Sequence, residues 1–248
     1  MAGALIGFSG GLLGIGGGLI AIPLLGILLH MDQAMAQGTA LIMVLPAVLL
    51  SVRQYNQRSR INKRAALAGA LSSIVFTWLG ARLALAMDAG LLRGIYAGFI
   101  FSLSLFYFYQ HQVLRRGAAR LSTARSEPVE YPFHRYLLLG ALAGLFGGVF
   151  GVGGSVLVVV FLVARMGYSQ TQAQALALSM VIPGTVVALM TYTWHQQADW
   201  LVGLPLAVGS IALVPYGVRL AFAWSEAHLR LAFACLLLLL VPLLLLRV

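Results

Sequence analysis

Apolar residues run along this chain in long blocks. No Lys, Arg, Asp or Glu occurs in residues 1–31, 33–52, 65–81 or 94–114, nor in 136–164, 166–198, 200–218 or 231–246. A helix crossing a bilayer core needs roughly 20 mainly apolar residues. The eight blocks reach that length once charged ends are allowed for. A helix of a water-soluble protein keeps a polar outer face, and most of these blocks have none. The pattern predicts an all-α, polytopic membrane protein of about eight transmembrane helices. They lie near residues 1–29, 33–53, 65–84 and 92–111, then 136–164, 170–194, 200–219 and 228–247. The many Gly and several Pro in these blocks would count against helices in water. In a lipid-embedded bundle, neighbouring groups satisfy the freed backbone.

The blocks also repeat. Shifted by 137 positions, the first half lies on the second without a gap. Gly7, Gly10, Gly11, Gly14, Gly16 and Gly17 fall on Gly144, Gly147, Gly148, Gly151, Gly153 and Gly154, and Gly18 falls on Ser155. Gln33 meets Gln170, Gln37 meets Gln174, Pro46 meets Pro183, Tyr55 meets Tyr192, Gly80 and Arg82 meet Gly217 and Arg219, and Arg93 meets Arg230. Low complexity aligns Leu and Ala by chance, but not Gln, Pro, Tyr and Arg in one register. The expected organisation is a first transmembrane repeat over 1–110, a basic cytoplasmic linker over 111–135, and a second repeat over 136–248.

Charge gives this arrangement a direction. The net charge is +10, and ten of the 16 basic residues form two clusters. Arg53, Arg58, Arg60, Lys63 and Arg64 make the first; Arg115, Arg116, Arg120, Arg125 and Arg135 make the second. Basic clusters can bind nucleic acid, but between apolar blocks they read as cytoplasmic loops obeying the positive-inside rule, with lipid headgroups as neighbours. Eight full crossings would put both termini in the cytoplasm too. One loop does not match its counterpart: residues 190–201 carry His195 and Asp199 but no Lys or Arg. Inverted repeats produce such a reversal and need an odd number of crossings each. A broken or re-entrant glycine segment would supply it.

The glycine runs, GGLLGIGGGLI from Gly10 and GGVFGVGGSVL from Gly147, are the candidate chemistry. A Walker A loop needs Lys and Ser or Thr after its glycines, whereas Leu19 and Ile20 follow the first run. A dinucleotide fingerprint needs a βαβ setting. Small residues four apart let helices approach closely, as with Gly10, Gly14 and Gly18. Adjacent glycines do more: they lower the cost of leaving helical geometry. A broken helix then offers free N–H groups and the positive end of a half-helix to an anion. The candidate substrate pathway is Gly14, Gly16, Gly17, Gly18, Gly151, Gly153, Gly154 and Ser155. The prolines Pro46 and Pro183 kink the next helices, where Gln37, Thr39, Gln174 and Ser179 offer polar groups. Gln37 and Gln174 read equally as helix-packing groups, and the Thr39 and Ser179 hydroxyls as bonds to carbonyls of their own helix. Arg82 and Arg219 are either snorkelling residues or the mouth of the path. Arg93 and Arg230 fit headgroup contacts, and Tyr55, Tyr192, Trp78, Trp194, Trp200 and Trp224 fit interfacial anchors. His195 and Asp199 read as a proton relay or as ordinary loop residues.

No charged residue sits securely in mid-membrane, as a proton pump or cation channel would need. No hydrolytic triad, redox ligand set, metal site, cofactor motif or paired carboxylates appears. The single cysteine, Cys235, makes neither an intrachain disulfide nor a Cys-based metal site. Backbone dipoles and neutral donors remain, which points to a small anion or modest polar solute.

The two glycine runs, with GTALIMVLP and ALALSMVIP downstream, resemble those of the TauE/SafE transporters, also described as sulfite exporters. The resemblance covers nearly the whole chain. It implies secondary transport across the bacterial inner membrane. It also implies export of sulfite, a sulfonate or another small organic anion. A coupling proton and homo-oligomerisation are compatible with it. A channel for small anions or solutes, or a non-transporting membrane scaffold, are the alternative functions.

Overall fold

The computed structural model describes residues 2–58, 61–117, 131–151 and 154–245. These residues form ten helices: α1 (Ala2–Leu13), α2 (Gly18–Leu29), α3 (Gln33–Arg58), α4 (Lys63–Ala86), α5 (Ala89–Gly117), α6 (Phe133–Phe150), α7 (Gly154–Met166), α8 (Gln170–Trp194), α9 (Trp200–Ala223) and α10 (Glu226–Leu245). Six of them, α3, α4, α5, α6, α8 and α9, contain stretches long and apolar enough to cross a membrane. The protein is a polytopic helical membrane protein. The expected segments 1–29 and 136–164 are each split in two at their glycines. Helix α5 continues through residues 112–117 of the expected linker, and most of the rest of that linker lies outside the described residues.

Helix ends follow local chemistry. Asn62 caps α4 by accepting from the N–H groups of Arg64 and Ala65, both at 3.1 Å. Ser169 and Gln172 form a capping box at α8, and the Asp199 carboxylate accepts from Leu201 and Val202 at α9. These side chains satisfy N–H groups that a helix start leaves unpaired. The starts of α4 and α9 differ by the sequence offset of 137, as do their ends.

Contacts between helices fix their directions. Gln37 meets Tyr192 and Tyr55 meets Gln174, so the counterpart helices α3 and α8 run antiparallel. Gly3, Gly7 and Gly11 of α1 lie on Leu206, Ser210 and Val214 of α9, so these two helices run parallel. Gly140, Gly144 and Gly148 of α6 lie in the same way on Gly69, Ser73 and Thr77 of α4. The closest packing in the molecule therefore joins a first helix of one half to the fourth helix of the other. A Cβ at Gly7 or Gly144 would overlap the backbone it faces, the close approach that small residues permit between membrane helices.

Both broken pairs double back. A Cβ at Gly17 would meet the backbone oxygen of Ile6 at 2.9 Å, and one at Gly154 would overlap the Ala143 carbonyl. Each second piece thus begins beside the middle of the first. The chain climbs along α1, returns along α2, and then runs the length of the bundle three times along α3, α4 and α5. The second half does the same upside down. One end of the bundle gathers Arg53, Lys63, Arg64, Arg135 and Arg165. The other gathers Asp32, Asp88 and Asp199, with Arg82 and Arg93 as its basic residues among helices α3 to α9. The positive-inside rule assigns the basic end to the cytoplasm. This corrects the expected termini: α1 starts, and α10 points, toward the opposite end. It also accounts for the absence of Lys and Arg from the loop at 195–199, which faces away from the cytoplasm.

Candidate transport site at the glycine breaks

The breaks are built by backbone conformation. Gly14 (φ +65°) and its counterpart Gly151 (φ +68°) both take left-handed geometry, which costs any other L-residue roughly 1–2 kcal/mol. Each also touches a glutamine of the other half. A Cβ at Gly14 would lie 2.5 Å from Gln174 Cγ, and one at Gly151 would lie 2.9 Å from Gln37 Cβ.

The two glutamines are held by the two counterpart tyrosines. The Tyr55 hydroxyl reaches Gln174 Oε1 at 2.9 Å and the Gly11 carbonyl at 3.1 Å. The Tyr192 hydroxyl reaches Gln37 Oε1 at 2.7 Å and the Gly148 carbonyl at 3.1 Å. Each cluster ties a break to a helix of the opposite half. They differ in one bond: Gln174 Nε2 donates to the Leu13 carbonyl at 2.8 Å, whereas Gln37 Nε2 is buried without a partner among the described residues. Both tyrosines are fully buried, which overturns their expected role as interfacial anchors. The tryptophans Trp78, Trp194, Trp200 and Trp224 are exposed, with side chains free to sit at an interface.

Pro46 and Pro183 lie nine residues from the glutamine and the tyrosine of their own helices. They therefore sit opposite one another at the midpoint of the antiparallel pair. The two clusters stand about 13 Å to either side at helical rise. A cavity occupies the middle and extends away from the cytoplasmic end. It is lined by Ile15 from the first break, Gly151, Gly154 and Ser155 from the second, Leu41, Val44 and Val48 of α3, Thr77 of α4, Ala143 and Gly147 of α6, and Val181, Gly184, Thr185 and Ala188 of α8. Its volume is about 30 Å³ for the centres of water-sized atoms. By that measure it admits about two or three waters. No lining residue carries an ionisable group. The first turn of α7 borders it, with N–H groups that its own helix cannot satisfy.

A chain built this way matches one family over nearly its full length: the profile described as sulfite exporter TauE/SafE matches residues 1–243. The chain belongs to the TauE/SafE family. A probable membrane transporter protein of Methanocaldococcus jannaschii is 23% identical over 212 residues, covering 82% of this chain and 75% of its own. The probable membrane transporter protein YdhB of Bacillus subtilis is 24% identical over 219 residues, covering 88% and 86%. No solved structure matches. As a TauE/SafE protein, the chain is a membrane transporter.

Of the pathway residues expected from sequence, Gly151, Gly154 and Ser155 line the cavity, and Gly16 packs on Val44 and Val48 beside it. Gly14, Gly17, Gly18, Gln37, Gln174, Pro46 and Pro183 build the surrounding breaks and clusters. Gly153 lies outside the described residues. Thr39 accepts a bond from the Asp199 N–H at 3.0 Å and so ties α3 to the loop before α9. Ser179 donates to the Ala175 carbonyl of its own helix at 2.8 Å. Arg82 and Arg219 are exposed, each beside an aromatic ring of its own helix, Trp78 at 5.9 Å and Tyr216 at 5.8 Å. Neither lines the cavity. His195 bonds the Thr191 carbonyl at 2.8 Å, and Asp199 is a helix cap. Arg230 is 6% exposed, not free among headgroups, and lies by Tyr107, which a side-chain hydrogen bond joins to Gln170. Sequence reasoning missed Thr77 and Thr185. A lone hydroxyl in an apolar helix usually bonds its own backbone, so only the third dimension singles them out.

Proposed function

We propose that the chain is a secondary transporter that carries a small anion, such as sulfite, a sulfonate or another small organic anion, out of a bacterial cell across the inner membrane. One observation carries the reading. The central cavity combines the positive end of a buried half-helix with uncharged walls, and oriented N–H groups favour negative charge there. A cation would find no carboxylate in that lining.

The two halves act as inverted repeats, each with three crossings and one broken pair. Counting each broken pair as one membrane element gives the eight expected segments. Transport by alternating access then moves one half against the other around the midpoint. A monovalent anion leaving a cell that is negative inside gains about 2.3 kcal/mol per 100 mV. Efflux along the potential needs no coupling proton.

The test is sulfite efflux from proteoliposomes holding the purified protein, with Gly147→Leu beside it. Gly147 borders the cavity, and a Cβ there meets no other atom within 4 Å. The variant should fold and obstruct the site. Saturable, potential-dependent efflux that falls at least about tenfold in this variant is the expected result. Absence of flux for every small anion offered, from folded protein in sealed vesicles, would overturn the reading. Unitary currents would convert it to a channel.

A further inference from the structure

The two halves agree in their tyrosine–glutamine clusters and disagree in their cavity. The hydroxyl-bearing lining residues Thr77, Ser155 and Thr185 have Val214, Gly18 and Val48 as counterparts in the other half. The space differs as well. Gly147 is open to the cavity, whereas a Cβ at its counterpart Gly10 would overlap the Gly17 backbone. Gly184 leaves room for the Thr77 hydroxyl, since a Cβ there would lie 2.5 Å from Thr77 Oγ1. Its counterpart is Ala47, which has that carbon. One of two pseudo-equivalent places has thus gained both polar groups and volume.

We infer that the substrate rests off the pseudo-symmetry axis in this cavity, as a small desolvated oxyanion. The Thr77 and Ser155 hydroxyls and the first N–H groups of α7 are its donors. The inference rests on the transport reading above and names its site. Thr77 is 3% exposed and Ser155 4% exposed. Both line the cavity, and neither hydroxyl has a hydrogen-bond partner among the described residues. Both residues open on the cavity, where an acceptor would complete their hydroxyls. Thr185 differs, because its proton goes to the Val181 carbonyl at 2.9 Å. It presents lone pairs and is not a donor. The volume suits an ion of about the size of sulfite, roughly two or three waters. Extended or aromatic sulfonates are too large for it.

The other half supplies the substitutions. Thr77→Val places at α4 the residue that its counterpart position already carries, with nearly the same shape. Ser155→Ala removes the hydroxyl and keeps the helix. The purified full chain is titrated with sulfite by calorimetry and assayed for sulfite efflux in vesicles. Each single variant should weaken binding about tenfold, as expected for one hydrogen bond to a charged group. The pair should lose measurable binding, while Val214→Thr, at the counterpart position in the other half, stays within about twofold of the unchanged chain. Benzenesulfonate should not compete. Undiminished sulfite affinity in the folded double variant overturns the inference. If that variant also keeps its flux, the transport reading survives. Sulfite binding without flux in the unchanged chain would leave this site standing and remove the transport reading. If the unchanged chain binds no sulfite, the site falls, and efflux by itself then decides the transport reading.

Discussion

A tyrosine hydroxyl buried in a membrane bundle has no water to turn to when its partner is lost. Tyr55 and Tyr192 each reach a glutamine of the opposite half and a carbonyl of their own, but their glutamines differ in what remains without them. Gln174 keeps its bond to Leu13, whereas Gln37 has nothing left. Removing one partner of a buried polar pair costs about 1–3 kcal/mol. Tyr192→Phe should therefore lower thermal stability in detergent more than Tyr55→Phe does. Adding Gln37→Leu should restore much of the loss, because removing both partners is far less costly than removing one. Equal melting shifts for the two tyrosine variants would refute this account.

At the scale of elements, the glycines separate into three jobs. Gly3, Gly7, Gly11, Gly140, Gly144 and Gly148 bring α1 and α6 onto the fourth helices of the opposite halves. Gly14 and Gly151 turn the chain. Gly147 leaves space. Substitution should sort them. Gly147→Ala should be neutral or stabilise by up to about 1 kcal/mol, because alanine is the better helix former. Gly144→Ala must push α6 away from the Ser73 backbone, and overpacking of this kind costs about 1–3 kcal/mol. Gly151→Ala adds the left-handed penalty of roughly 1–2 kcal/mol to its approach to Gln37. The monodisperse fraction after extraction should rank Gly147→Ala above Gly151→Ala and Gly144→Ala. Any other order would show that the close approaches are not what holds the broken pairs in place.

At the scale of the whole molecule, inversion makes counterpart loops emerge on opposite faces. Arg64 and Leu201 are counterparts near the starts of α4 and α9, and both are exposed. In a Cys235→Ser background, Arg64→Cys should react with an impermeant maleimide only from the cytoplasmic face. Leu201→Cys should react only from the opposite face. Labelling of both from one side would exclude the inverted arrangement and with it the rocking of one half against the other.

The class of protein was legible in residues alone. Uncharged blocks of membrane length, adjacent glycines, and the offset that lays Gln37 on Gln174 are all local or repeated signals. A bilayer imposes a one-dimensional rule on length and polarity, and a sequence states such a rule directly. The split of residues 1–29 at their glycines was legible too, because only glycine tolerates Gly14's backbone geometry at low cost. Tertiary structure alone decided that α3 and α8 oppose each other, that Tyr55 and Tyr192 face inward, and that the cavity sits beside Thr77. The physical reason is the solvent. In water a polar face tells which side of a helix is outside. In lipid an apolar face suits both the neighbour and the solvent, so burial, direction and partner are settled only when the helices pack together.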